Sequence, residues 1–125
     1  MKKLIFLFVL LATISLSAQK TFEGIGNQKN DGSTWEFTMK LLDNGDFEVV
    51  YPSLQCSSVW KFKKIDHEYR IYQEKLTTGF DKCVNDGFIY ITDNFSGSGT
   101  QYFYIYEKIG DKFDTASGTI DEIEE

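Results

Sequence analysis

From residue 20 onward apolar and polar positions alternate in short runs, with clusters of turn-forming residues between them. The turn segments are 27–33, 43–45, 52–57, 66–67, 77–86, 93–99 and 110–111. They leave eight predicted strands, at 20–27, 33–42, 45–51, 57–65, 68–77, 87–93, 100–108 and 113–122. No segment holds apolar residues at helical spacing over ten or more positions, so no substantial helix is predicted. Asn44-Gly45 between two alternating runs is the strongest hairpin signal, because both residues accept the positive φ of a tight turn.

Period two assigns faces. Trp35, Phe37, Met39 and Leu41 share one side of the second strand, opposite Thr34, Glu36, Thr38 and Lys40. Phe47, Val49 and Tyr51 share a side of the third, Trp60 and Phe62 of the fourth, and the small Ala116 and Gly118 join Ile120 on the eighth. The fifth strand fits two registers. A two-residue turn at 66–67 puts Trp60 opposite Gln73 and turns Glu74 outward; a three-residue turn sets Trp60 against Glu74 on the inner face. A β-bulge near Ile71 reconciles them, and the inward Glu74 is the favoured reading. Short connections make consecutive strands antiparallel neighbours. Eight strands with one polar face then close most naturally into an all-β, eight-stranded antiparallel meander barrel without exposed edges.

The segment before this pattern has another character. Met1-Lys2-Lys3 is positive, Leu4 to Ala12 is unbroken apolar, and Thr13 to Ala18 is small and polar, the layout of a secretory signal peptide. Cleavage is expected after Ala18, or after Ser17, which divides the chain into a signal peptide (1–18) and one domain (19–125). The ending Ser-Leu-Ser-Ala-Gln resembles exported bacterial proteins, and that resemblance implies a periplasmic or extracellular address. No second apolar stretch of about 18 residues exists, so no membrane span is predicted.

Composition narrows the function class. The 125-residue chain carries 13 basic and 19 acidic side chains, a net charge of −6. Losing Lys2 and Lys3 leaves 11 against 19, or −8. Such a balance argues against a nucleic-acid partner, which demands a surplus of Lys and Arg. Apolar content of 42% with abundant Phe and Tyr excludes disorder. The two cysteines, Cys56 and Cys83, in an exported chain read as one disulfide, stabilising by about 3.5 kcal/mol in the chain-entropy picture. The rival readings are a metal pair or a reactive thiol, but one His beside two Cys has no recognisable zinc spacing. No metal or cofactor is predicted.

Several segments form a longer pattern: Tyr51-Pro52-Ser53-Leu54-Gln55-Cys56-Ser57-Ser58-Val59-Trp60, then Tyr72-x-Glu74-x-Leu76-x-x-Gly79, Cys83, and Ala116-x-Gly118-x-Ile120. Together they resemble a family of small bacterial secreted or extracytoplasmic domains marked by a Tyr-Pro-Ser-Leu-x-Cys motif. Position 58 departs, with Ser where that family's pattern has Gly. The resemblance spans residues 47 to 120 and implies a lipocalin-like (calycin-like) barrel, a Cys56–Cys83 bridge and a special place for Glu74. It brings no activity with it. Lipocalins proper begin with Gly-x-Trp, where this chain has Gly24-Ile25-Gly26.

Two groups of residues are candidates for function. Trp35, Trp60, Tyr72 and Glu74 would surround the mouth of the barrel and accept a small amphipathic molecule, with Glu74 anchoring its polar group. The bland alternative for Glu74 is a register pin that accepts hydrogen bonds from the fold. Tyr90, Tyr102, Tyr104 and Tyr106, with Phe88 and Phe103, make strands six and seven aromatic on both faces, so one face is free for a protein partner. Ordinary cross-strand aromatic pairing is the plainer explanation. Ser57, Ser58 and His67 suggest no hydrolase, since no Gly-x-Ser-x-Gly elbow or second His accompanies them. The sequence therefore predicts a non-enzymatic, monomeric binding module for an unknown small molecule, with a filled barrel acting as a protein-interaction domain as the alternative.

Overall fold

A computed structural model describes residues 20–83, 87–92 and 99–123. Eight strands form one closed barrel in sequence order: β1 (Thr21–Gln28), β2 (Thr34–Leu41), β3 (Phe47–Tyr51), β4 (Cys56–Asp66), β5 (Tyr69–Thr78), β6 (Phe88–Thr92), β7 (Gln101–Tyr106) and β8 (Ala116–Glu122). Every neighbouring pair is antiparallel, and β8 closes against β1. The meander barrel expected from the alternation is thus the observed architecture. The only described helix is a 3-10 turn, Pro52–Leu54, and no described helix is long and apolar enough to cross a membrane.

Most turns fall where the sequence places them, but the β7–β8 connection runs from 107 to 115 where a turn at 110–111 is expected, so 107–108 and 113–115 are not strand. Between β2 and β3 only Gly45 has positive φ (92°); Asn44 instead caps the turn, its Oδ1 accepting from Asp46 N at 3.0 Å. The β4–β5 hairpin turns on His67-Glu68, with His67 left-handed at φ 56° and Asp66 opposite Tyr69. A one-residue register shift between Phe62 and Lys64 then changes the pairing, so that Trp60 stands opposite Glu74. A short turn and an inward Glu74 coexist because Lys63 is the extra residue of a bulge opposite Ile71 and Tyr72.

The interior is filled by rings. Phe37 lies 5.7 Å from Tyr51, 5.7 Å from Trp60 and 5.5 Å from Phe103 between centroids, and Phe47 lies 5.8 Å from Phe22 and 5.3 Å from Tyr72. Small residues on β1 and β8 make room for them. A Cβ added at Gly24 would fall 2.3 Å from Phe37 Cζ, and one at Gly118 would fall 1.9 Å from the carbonyl oxygen of Ile25. Met39, Val49, Leu76, Ile89, Ile91 and Ile120 complete the core, with Trp35, Leu41, Cys83 and Ile105 packed on its edges. Phe62 keeps the parity expected of it but is 37% exposed, because β3 stops pairing with β4 at Trp60. Its ring rests on Tyr72 at 5.6 Å, on the inner side of β4 beyond the last residue paired with β3.

Cys56 and Cys83 are joined as a disulfide across 27 positions of sequence. The bridge ties the start of β4 to the segment after β5. Gly79 lies beneath it with φ 74°, its α-carbon so close to Gln55 and Cys56 that a side chain there would collide with backbone.

Candidate functional site

One side chain organises the polar chemistry of the interior. Glu74 is half-buried on the inner face of β5, and a single oxygen, Oε2, collects three donors. The Tyr51 hydroxyl donates to it in a short bond, Ser58 Oγ donates at 2.9 Å, and Trp60 Nε1 donates at 3.1 Å. Trp60 Nε1 is also 3.1 Å from the Tyr51 hydroxyl. Trp60 is 1% exposed and Ser58 fully buried, so the bonds to Glu74 satisfy groups that would otherwise lose water without recompense. Burial, then the neighbouring carboxylate, push the Tyr51 hydroxyl well above its ordinary pKa near 10. It stays a donor across the physiological range.

The four residues proposed to surround a mouth are divided. Trp60 and Glu74 touch. Trp35 sits half-buried at the start of β2, its ring over Gly26, where an added Cβ would come within 2.4 Å of it. Tyr72 is buried one inward position along β5 from Glu74, against Phe47 and Phe62. Tyr51 and Ser58, neither of them expected at this site, complete the Glu74 cluster. Their signal was present in the inward parity of Tyr51 and in Ser58 lying two residues before Trp60, on the same face.

The outer aromatic face is continuous and larger than expected. Tyr90 lies 4.7 Å from Tyr106, and Tyr69 lies 5.9 Å from Tyr90 and 6.1 Å from Tyr104. Tyr69, at the start of β5, thus joins the group. All four are half-buried, whereas Tyr102 is 50% exposed. Ile71, opposite Tyr90 on this outer side, is nevertheless fully buried. Gly110 N donates to the Tyr90 hydroxyl at 3.3 Å, and Asp114 in the same connection holds Lys29 at 2.7 Å. Burial, followed by Asp114, raises the pKa of the Tyr106 hydroxyl.

His67 is exposed at the hairpin tip, its Nδ1 2.6 Å from Asp66, while Ser57 and Ser58 lie at the opposite end of β4. These residues do not assemble. Among the described residues no three His, Cys, Asp or Glu side chains gather as a metal site. A shallow outer depression of about 270 Å³ crosses β8, β1 and β2, lined in part by Glu23, Glu36, Thr119 and Asp121. No family model, curated protein or solved structure matches the chain.

Proposed function

We propose that the chain is an exported, non-enzymatic recognition module, lipocalin-like in outline, that binds a protein partner through the outward tyrosines of β5, β6 and β7. The observation that carries this reading is the division of aromatic residues between two faces. Phe37, Phe47, Trp60, Tyr72 and Phe103 occupy the space a small ligand would need. Tyr69, Tyr90, Tyr104 and Tyr106 form a braced platform outside, with Tyr102 at its exposed margin. Tyrosine suits that task, because a rigid ring buries area at small entropic cost and its hydroxyl tolerates water at the rim. Export is supported by the three-part N-terminal segment and by the disulfide, which persists in oxidising compartments.

Binding of a small molecule at the mouth has less in its favour. Glu74 Oε2 already takes three donors from the fold, and Trp60 and Tyr72 lie beneath other rings. The test is capture of partners from the extracytoplasmic fraction by the immobilised mature domain. A partner held by the native chain and by Glu74→Gln, and lost with Tyr102→Ser/Tyr104→Ser, supports the tyrosine face. Saturable one-to-one binding of a small amphiphile, lost with Glu74→Gln and indifferent to the tyrosine changes, moves the function to the mouth.

A further inference from the structure

Strand pairing brings a second surface into view. Thr21 stands opposite Lys40, Leu41 opposite Phe47, and Phe47 opposite Trp60. Residues 61–66 of β4 therefore lie at the end of the barrel where β1 begins. Beyond Trp60 this strand has lost β3 and keeps only β5 beside it. Lys61, Phe62, Lys63, Lys64 and Ile65 are all exposed there, Ile65 at 55%.

Lys61, Lys63 and Lys64 have no acidic partner within ion-pair distance and form no side-chain hydrogen bond among the described residues. Several acids at this end are engaged: Asp66 with His67 at 2.6 Å, Asp46 with Phe62 N at 2.9 Å, and Glu122 with Lys20 at 3.9 Å. Phe62 and Ile65 share a side with Arg70, whose guanidinium lies 5.2 Å from the Phe62 ring centre. Lysines and a bulge are the ordinary guards of an exposed strand edge. That role accounts for the lysines and leaves the two exposed apolar residues unexplained, since they raise the risk the lysines lower.

We propose that this hairpin docks the domain on an anionic lipid surface. Lys61, Lys63 and Lys64 meet the lipid phosphates while Phe62 and Ile65 enter the headgroup layer. Basic residues beside shallow apolar ones are what such a surface rewards. A soluble polyanion would satisfy the lysines and leave Phe62 and Ile65 in water.

Co-sedimentation of the mature chain (19–125) with vesicles tests the proposal. The vesicles contain 30% phosphatidylglycerol in phosphatidylcholine, or phosphatidylcholine alone. Binding is expected only to the anionic vesicles, and it should weaken as salt rises. Lys61→Glu/Lys63→Glu/Lys64→Glu should reduce it by about tenfold or more, and Phe62→Ser/Ile65→Ser by several-fold. The control Lys82→Glu/Lys108→Glu/Lys112→Glu makes the same charge change at the other end of the barrel and should retain binding, with circular dichroism confirming that each variant folds. The proposal fails if the native chain ignores anionic vesicles, if the two lysine sets lose binding equally, or if a soluble polyanion binds where vesicles do not.

Discussion

Trp60 Nε1 donates to Glu74 Oε2 across 3.1 Å from directly opposite positions on β4 and β5. The contact exists because Lys63 adds one residue to β4, which brings the two onto the same inner face. Removing the acceptor leaves three donors, on Tyr51, Ser58 and Trp60, around a weaker partner. Glu74→Gln is expected to lower stability by about 1–3 kcal/mol, with Glu74→Ala lower still. Urea unfolding followed by tryptophan fluorescence measures both. An unchanged midpoint for Glu74→Gln would deny Glu74 its role in holding the fold.

Tyr51 makes stability sensitive to high pH. Its folded-state pKa is raised above the ordinary value near 10, first by burial and then by Glu74. The folded chain therefore keeps a proton that the unfolded chain releases. Its contribution is whole below pH 10 and is lost as pH climbs above it, by about 1.4 kcal/mol per pH unit. In Tyr51→Phe the fall in stability above pH 10 should be shallower by one proton's worth. Denaturant midpoints measured between pH 8 and 11 give the two slopes.

The disulfide should contribute strongly because it closes a long loop in the unfolded chain. Cys56→Ser/Cys83→Ser is expected to lose about 3.5 kcal/mol, a large part of a small domain's roughly 5–15 kcal/mol. Mass spectrometry of the unreduced mature chain should show two hydrogens fewer than the reduced form.

Gly24 and Phe37 are matched in size across β1 and β2. A methyl at position 24 enters the space of the Phe37 ring, so Gly24→Ala should cost about 1–3 kcal/mol. In a Phe37→Leu background the same change should cost markedly less, and a double-mutant cycle reads the difference. Equal costs in both backgrounds would show that the ring does not fill that space.

Much of this was legible from alternation alone. β3 reads apolar at Phe47, Val49 and Tyr51, and all three are buried, because a strand packed on one side permits a single parity. The register of β5 was not legible. Tyr69 and Ile71 on one parity and Tyr72, Glu74 and Leu76 on the other are all reasonable inner faces, and only the bulge at Lys63 selects the second. Ile71 shows why the ambiguity arose: it is buried outside the barrel, on the tyrosine side, where a one-core reading of the pattern has no place for it. The Glu74 cluster was half legible, since parity brings Trp60 and Glu74 together but cannot show that Tyr51 and Ser58 aim at the same oxygen.

A filled interior is the claim on which assignment of function to the outer face depends. The chain has two tryptophans, Trp35 and Trp60, both on the inner side, so their two indole N–H signals in a nitrogen-edited NMR spectrum report directly on that space. On titration with a medium-chain fatty acid, both signals are expected to stay in place up to the solubility limit of the acid. A saturable one-to-one shift of the Trp60 signal would contradict the claim and show that the barrel opens to hold a ligand.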